Sequence, residues 1–600
     1  MPRLRSLLLV LPFIALLPAQ TQPTAEQVID HIQDRILPPV LVRGEAPATT
    51  KLADRMAALH VPGVSIAVIR GGKIEWARGF GVARIGGPAV TPDTLFQAAS
   101  ISKPVSAMAV LHLVQEGKLD LDADVDQYLK SWKVPSNNFT AEKKVTLREL
   151  LTHTAGMTVH GFPGYASGEP LPTPLQILNG EKPANSPPIR VDTEPGKIWR
   201  YSGGGYVVAQ LLLQDVTGQP FPKLMHDTVL APIGMTRSTY EQPLPASRMA
   251  EVATPYRSDG QPVAGGPHVY PEMAPAGLWT TPSDLARYAI EVQKSLAGAS
   301  NHVLSAATTR RMLTPGLNRQ GLGPGIGGGP QHPYFTHGGA NEGYRCDLVA
   351  YNEGDGVAIM TNGDNGGQLF DDILSTLAHD YNWPDFQPKE RTVAAVDAKT
   401  LDAYLGAYRY ASGVMTITRE SDQLFEQRGT QPKVPIFPEG QGKFFEKTTD
   451  ATLAFDLGAD GKAAAVTVHQ NEMTQTARRV DDAEAKRIAG QAAAAAQRFK
   501  DQKPAPGSEA ALRRNIDALI AGQPLYDEMS SALANVTRQQ LPELKTTMAQ
   551  LGALQSITFK GVGPGGADIY EVKFEKGSLD YRVWISPDGK TVERANMRKM

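Results

Sequence analysis

Cysteine is almost missing from this chain of 600 residues: Cys346 is the single one. No internal disulfide can form, so stability has to come from burying apolar surface, which a chain of this length can do. There is no Cys-x-x-Cys and the histidines are scattered, so no metal-ligand constellation appears and no metal or organic cofactor is implied. A surplus of positive charge is missing too. Lys and Arg number 60 against 62 Asp and Glu, a net charge of -2, and no basic cluster offers a field for nucleic acid. Repeats at solenoid period are absent. The apolar run near the N-terminus, Leu7 to Leu17, is too short to anchor a helix across a bilayer. Arg3 and Arg5 precede it and Pro18-Ala19-Gln20 follows, so residues 1–22 read as a secretory signal peptide. The expectation is a periplasmic or secreted protein with no stable membrane anchor after cleavage. No cysteine follows the run, which argues against a lipid-anchored precursor.

What is present divides into segments. At this length about two to four domains are expected. Val64 to Ile69 is a β-rich apolar run, Gly71-Gly72 a two-residue hairpin turn, and Lys73 to Val82 the returning strand. The pattern recurs where Tyr344 to Tyr351 and Gly356 to Thr361 flank Asn352-Glu353-Gly354-Asp355, with a helix expected over Leu369 to His379. A helical, loop-rich stretch lies between. These pieces predict an α/β domain over residues 23–390: an antiparallel sheet made from both ends of the segment, flanked by helices, with a helical region inserted. Leu401 to Val480 holds about eight short β-like runs at barrel spacing, giving a small β-barrel-like domain over 395–482. The alanine-rich segment 483–507 reads as a helical linker. Residues 508–600 read as a small α+β domain, with helix breaks at Gly522 and Pro542 and strands at Ile557 to Phe559, Asp568 to Glu575 and Leu579 to Ser586.

One run carries chemistry. Phe96 to Lys103 contains the only Ser-x-x-Lys of the chain, Ser100 and Lys103. A serine hydroxyl needs a base within hydrogen-bond reach to act as a nucleophile, and a lysine three residues on can sit beside it. Pro104 to Glu116 follows as a helix apolar nearly all round, which predicts burial. Ser100 is then expected at the start of a buried helix, where free N–H groups favour a developing oxyanion. Cys346 lies in an apolar run and reads as a packed strand residue.

With its surroundings, this run resembles the serine β-lactamase and penicillin-binding-protein superfamily, in the branch of class C β-lactamases, D-aminopeptidases and related esterases. The matching pieces keep the family's order over about residues 28 to 385. They are Phe96 to Lys103, Leu150 to Met157, Pro195-Gly196 with Tyr201 to Tyr206, Pro232 to Thr236, Gly277 to Leu285, and His337-Gly338-Gly339.

The resemblance implies that Ser100 forms an acyl-enzyme, that Lys103 helps to take its proton, and that Tyr201 is a proton shuttle and base beside them. It implies that His337 binds a substrate carboxylate or polarises Tyr201, and that the N–H groups of Ser100 and Ala340 form the oxyanion hole. Gly203, Gly338 and Gly339 join Ala340 as substrate-binding positions. His153 reads as structural; Glu342 and Arg345 are open between cleft lining and solvated strand edge. Gly203 stands where many relatives have an asparagine that would hold a substrate amide; glycine leaves space instead. The implied activity is hydrolysis of an amide or ester, a D-amino-acid peptide or a small ester. A β-lactamase or D,D-carboxypeptidase is the alternative of the same chemistry, and a non-catalytic binding protein that keeps the fold is the alternative of another class. The partner is a small molecule or short peptide, and a homo-oligomer is left open. Tyr404 to Tyr408 opens a β unit similar to small lipocalin-like barrels.

Overall fold

Both hairpins belong to one sheet. In a computed structural model, which describes residues 23–600 apart from 411–412, 430–432, 471–472, 587 and 600, Gly63–Arg70 (β1) turns into Lys73–Gly81 (β2). The expected signal peptide over 1–22 lies outside the described residues. Gly71 and Gly72 make the turn at φ +54° and +70°, the left-handed pair that a tight hairpin needs and glycine adopts without strain. Far along the chain come Gly325–Gly327 (β3), Tyr334–Asn341 (β4), Tyr344–Tyr351 (β5) and Gly356–Thr361 (β6). The order across the six-stranded sheet is β2-β1-β6-β5-β4-β3, with Ile66 opposite Ile359 where the two ends of the segment meet.

Alternation along these strands builds two cores. The framing helices are, in chain order, Ala25–Asp34 (α1), Ser102–Gln115 (α2), Leu147–Leu151 (α3), Gly203–Thr217 (α4), Met273–Ala276 (α5), Pro282–Leu296 (α6) and Gly366–Tyr381 (α7). Val64, Ile66 and Val68 of β1 pack with Ile32 of α1 and Ile373 and Leu377 of α7. Ala67 and Ile69 face the other way, into a larger core with Met108 and Leu111 of α2 and Val207 and Leu212 of α4. This is the period of two expected of strands buried on both faces. The inserted region between β2 and β3 supplies the second layer.

Helix α2 has no solvent face over its first ten residues; Ser102 to Leu111 are all buried. It starts two residues earlier than Pro104, and Ser100 lies outside it, in a separate single turn over Ala99–Ile101. Pro104 falls in the first helical turn, where its missing N–H has no intrahelical partner to lose.

The chain divides into two units, Met1–Pro39 with Ala46–Lys389, and Val40–Glu45 with Glu390–Met600. The second unit opens with eight antiparallel strands: Gly406–Tyr410 (β7), Gly413–Glu420 (β8), Gln423–Arg428 (β9), Val434–Gly440 (β10), Lys443–Glu446 (β11), Thr452–Leu457 (β12), Ala463–Gln470 (β13) and Met473–Val480 (β14). Pairing of Ala407 with Val480 closes them into a barrel. Asp482–Asp501 (α8) follows, joined to the last sheet by Arg498, whose Nη1 lies 2.6 Å from the buried Asp568 carboxylate. Then come Ser508–Ile520 (α9), Ser531–Leu551 (α10) and a four-stranded sheet of Leu554–Val562 (β15), Asp568–Phe574 (β16), Gly577–Ile585 (β17) and Val592–Lys599 (β18). Two details differ from expectation. Helix α10 runs through Pro542 without a break; Pro542 and Arg538, whose carbonyl loses its donor, are both on the exposed side of the helix. Strand β18 is an additional one. Among the described residues no helix is long and apolar enough to cross a membrane.

Because α2 is packed on every side, removing methyl groups from it leaves a cavity that cannot collapse. Leu111→Ala is expected to cost about 2–5 kcal/mol, read as faster hydrogen exchange of the α2 amides. Unchanged protection would show that the helix is not part of the core.

Candidate active site

The turn that presents Ser100 is held from three sides. Phe96 and Gln97 pair with Thr280 and Trp279, and the Ala98 N–H donates to the Leu278 carbonyl at 2.9 Å. Ser102 Oγ accepts from the Leu278 N–H at 3.0 Å, and the Tyr240 hydroxyl donates to the Ser102 carbonyl at 2.8 Å. Between these anchors Ala99 sits at φ +47°, in the left-handed region that costs a residue with a Cβ. The bend turns the half-exposed Ser100 toward a cavity while Ala99 and Ile101 stay buried.

Lys103 follows from the first turn of α2. Its side chain is buried, 2% exposed, and Nζ donates to Ser100 Oγ at 3.0 Å and to the Pro275 carbonyl at 3.0 Å. That carbonyl belongs to α5, whose Ala274 carbonyl also accepts from Ser106 Oγ at 3.2 Å. Nζ lies 4.8 Å from the centroid of the Tyr201 ring and 5.8 Å from that of Tyr206, within cation–π range.

Tyr201 reaches Lys103 from the N-terminus of α4. Ser202 caps this helix: its Oγ accepts from the Gly205 N–H at 3.1 Å and donates to the Thr158 carbonyl at 2.8 Å. The Ser202 N–H donates to His153 Nδ1 at 3.1 Å, and the His153 ring packs on Tyr201 with centroids 4.3 Å apart. His153 therefore acts as a brace behind Tyr201. The accepted bond places its proton on Nε2, which is buried without a partner among the described residues. Burial, with the Lys103 charge, pushes its pKa well down, so the ring is neutral. His153 and Val159, like Ala99, have positive φ, +59° and +65°. The turn carrying Ser100 and the stretch packed behind Tyr201 thus both hold backbone strain, as functional loops often do.

The third wall is β4. Strand β3 pairs only with Tyr334 to Thr336, so among the described residues no strand pairs with that edge of β4 from His337 onward. Gly339 touches the turn that presents Ser100: a Cβ there would overlap the Ala98 carbonyl and Cys346 Sγ. Cys346 is buried on β5, as expected, and its thiol donates to the same Ala98 carbonyl at 2.9 Å. Asn341 Nδ2 ties the end of β4 to Gln97 Oε1 at 2.8 Å.

His337 Nδ1 lies 2.6 Å from the Gly338 carbonyl. A carbonyl only accepts, so Nδ1 carries the proton and Nε2 keeps its lone pair. The ring is partly open to the cavity, yet the surrounding protein and then the Lys103 charge push its pKa down to about 4. His337 is neutral at neutral pH.

A cavity of about 830 Å³ collects Ser100, Lys103, Tyr201, His337, Gly338, Gly339 and Ala340 on its wall. Gly203 is not among them. It is buried, and a Cβ there would meet the Phe162 ring at 3.0 Å and the His160 carbonyl at 3.1 Å. The space expected beside Gly203 is filled by Phe162, which lines the cavity with His160 and Trp199. None of these three carries a sequence signal; they lie in loops without period. Arg345 reaches the cavity and pairs with Asp364 at 2.9 Å, whereas Glu342 pairs with Arg257 away from it. Asp347, which sequence reasoning missed, lines the wall beside Arg345, and burial pushes its carboxyl up to about 7.

Two measurements follow from this geometry. Gly339→Ala should push β4 off the Ser100 turn and lower kcat/KM by about 10²-fold with little change in KM, because displacement of about 1 Å is enough; unchanged kinetics would show that the contact does not set the geometry. Because the folded values of His337 and His153 lie below the ordinary value near 6.5, the unfolded chain binds more protons as the pH falls below that value. The contribution of His337 to stability is complete above about pH 6.5 and is lost toward about pH 4, and that of His153 is lost in the same direction. His337→Asn should flatten this part of a melting-temperature profile; an unaltered slope would count against the assignment.

The geometry agrees with kinship. A family model described as "Beta-lactamase" matches residues 48–379, and a second, described as "Domain of unknown function (DUF3471)", matches residues 390–486. The chain is 22% identical over 435 residues to Penicillin-binding protein 4* of Bacillus subtilis (strain 168), over 68% of this chain and 93% of that protein. It is 27% identical over 226 residues to Protein flp of Staphylococcus aureus (strain N315), over 37% of this chain and 42% of that protein. Among solved structures, the octameric penicillin-binding protein homologue from Pyrococcus abyssi aligns with a TM-score of 0.47 and 20% identity over 71% of this chain and 98% of that one. The first model alone spans more than half of the residues, and the chain belongs to the beta-lactamase family of serine hydrolases.

Proposed function

We propose that this protein is an exported serine hydrolase that cleaves an amide or an ester through an acyl-Ser100 intermediate. The observation that carries the reading is the 3.0 Å hydrogen bond between buried Lys103 Nζ and Ser100 Oγ at the wall of the cavity. In the reaction, Ser100 Oγ bonds to the carbonyl carbon while its proton passes through the Tyr201 hydroxyl, with Lys103 Nζ holding Oγ in place. The carbonyl electrons move onto oxygen, which the N–H groups of Ser100 and Ala340 hold. When they return, the bond to the amine or alcohol breaks and that group takes the proton. Water then repeats the sequence on the acyl-serine and releases the acid.

His337 narrows the substrate class. Its Nδ1–H is engaged by Gly338 and its ring is neutral, so what it offers the cavity is an accepting Nε2. This supports a bond from the Tyr201 hydroxyl or a substrate N–H, and tells against pairing with a substrate carboxylate. Gly203 supplies no side chain for a substrate amide, and Phe162 walls off that position. Both features favour a D-amino-acid amide, a peptide cleaved at its N-terminal side, or a small ester over a β-lactam or a peptide with a C-terminal carboxylate. The basic and apolar residues of segment 1–22 support export to the periplasm or medium.

A fluorophosphonate probe should label the protein and not Ser100→Ala; labelling that persists in the variant rejects the nucleophile. Lys103→Ala and Tyr201→Phe should each lower kcat by about 10²–10⁴-fold. Across a panel of p-nitrophenyl esters, D-amino-acid anilides, nitrocefin and D-alanyl-D-alanine peptides, the first two should turn over fastest; preference for the last two would reverse the substrate reading. N-terminal sequencing of the protein from its native host should begin beyond the apolar run, and a cytoplasmic chain starting at Met1 would remove export from the proposal.

A further inference from the structure

The cavity that holds Ser100 continues past β4. Side chains alternate along β5: the Cys346 thiol points at the Ser100 turn, so Arg345 and Asp347 on either side of it point to the opposite face of the sheet. Helix α7 packs on that face, against Val349 and Tyr351 of the same strand. Arg345 and Asp347 nevertheless line the same cavity as Ser100, together with Gln368 and Asp371 of α7. The cavity therefore passes over the edge of β4 and has an inner lobe at Ser100 and an outer lobe at Asp347. The crossing point is Gly338, which is exposed and stands opposite Asp347 in the register. A Cβ at Gly338 would sit 3.9 Å from Asp347 Oδ1. Without one, bare backbone separates the two lobes.

The outer lobe is acidic and lacks the cation that would balance it. Arg345 is already engaged: Nη2 lies 2.9 Å from Asp364 Oδ1, and Nη1 donates to the Asn341 and Tyr344 carbonyls, both at 2.7 Å. Asp347 Oδ1 accepts the Leu348 N–H at 3.0 Å, and among the described residues neither Asp347 nor Asp371 has an ion-pair partner. A half-buried carboxylate without a cation is costly. These acids share a wall with Ser100, so what they lack can be supplied by the molecule that Ser100 attacks. Position decides which part of that molecule reaches them. The departing amine or alcohol takes its proton by way of Tyr201, so it leaves on the side of Tyr201 and His337, whose ring centroids lie 6.2 Å apart. Gly338 follows His337, so the leaving group is the part that meets the crossing point. From Ala340, whose N–H serves the oxyanion, to Gly338 is roughly 7 Å along the strand. A charge next to the reacting bond falls short of Asp347, whereas one at the end of an arm of about six bonds reaches it.

We propose that the outer lobe selects amides and esters whose leaving amine or alcohol carries a positive charge at the end of such an arm, with Asp347 as the specificity-determining residue and Asp371 beside it. Mono-acylated diamines and esters of amino alcohols have this form. The inference rests on the hydrolase reading of Ser100 and adds the charge and reach of the leaving group.

Three esters of matched length test it with the full chain: 6-(trimethylammonio)hexyl acetate, the neutral 7,7-dimethyloctyl acetate and the anionic 7-acetoxyheptanoate. The value of kcat/KM for the cationic ester should exceed that for the neutral one at least about tenfold, and the anionic ester should be slowest. Asp347→Asn keeps an acceptor for the Leu348 N–H and should bring the cationic-to-neutral ratio down toward one. Asp371→Lys, at an exposed position of α7, should lower or invert the same ratio, and it carries the test if Asp347→Asn does not fold. Equal or slower turnover of the cationic ester by a chain that a fluorophosphonate labels, or a ratio that survives these substitutions, overturns the inference alone. Absence of both labelling and turnover removes the hydrolase reading and this inference with it.

Discussion

A lysine side chain with almost no exposed surface has to find partners for its nitrogen inside the protein, and much of the first unit is arranged around meeting that demand. Lys103 has a hydroxyl, one backbone carbonyl and the faces of two tyrosine rings. Each partner comes from a different part of the chain: Ser100 from the preceding turn, Pro275 from α5, Tyr201 and Tyr206 from the start of α4. Moving any of them removes a partner from a nitrogen that has little surface open to water. The same charge acts outward, since it helps to keep His153 and His337 neutral. One buried nitrogen thus couples the position of Ser100 to the protonation of His153 and His337.

The strain around the cavity follows from this coupling. Ala99, His153 and Val159 adopt a backbone region that favours glycine, Ala99 beside Ser100 and the other two in the stretch behind Tyr201. A glycine at these places would be freer in both folded and unfolded chains. A residue with a Cβ held there by its neighbours gives a narrower range of positions for Ser100 and Tyr201. Gly339 shows the opposite solution: backbone must touch backbone, and any side chain would intervene.

The sequence made some of this readable and concealed the rest for physical reasons. Ser100 and Lys103 are three residues apart, so their contact is local. The hairpins were readable because Gly71-Gly72 and Asn352 to Asp355 are turn chemistry, and the barrel because its strands recur at short, even intervals. Tyr201 and His337 came only through motif resemblance, since nothing local in either marks proximity to Ser100. Phe162 was invisible because it lies in an aperiodic loop, and so the glycine at 203 was read as open space when a neighbour fills it. Pro542 was read as a helix break because local propensity ignores which face of a helix meets water.

The topology of the first sheet has a consequence in time. Strand β1 lies between β2 and β6, and β6 is made only after the whole inserted region. During synthesis the β1–β2 hairpin therefore waits with one long edge of β1 unpaired and apolar on both faces. Such a hairpin is at best marginally stable in water, so the growing chain stays loosely structured until Gly356 and the residues after it arrive. Loop closure over that distance makes folding slow. The protein is thus built to finish late, and until then it depends on whatever protects an open strand from neighbouring chains.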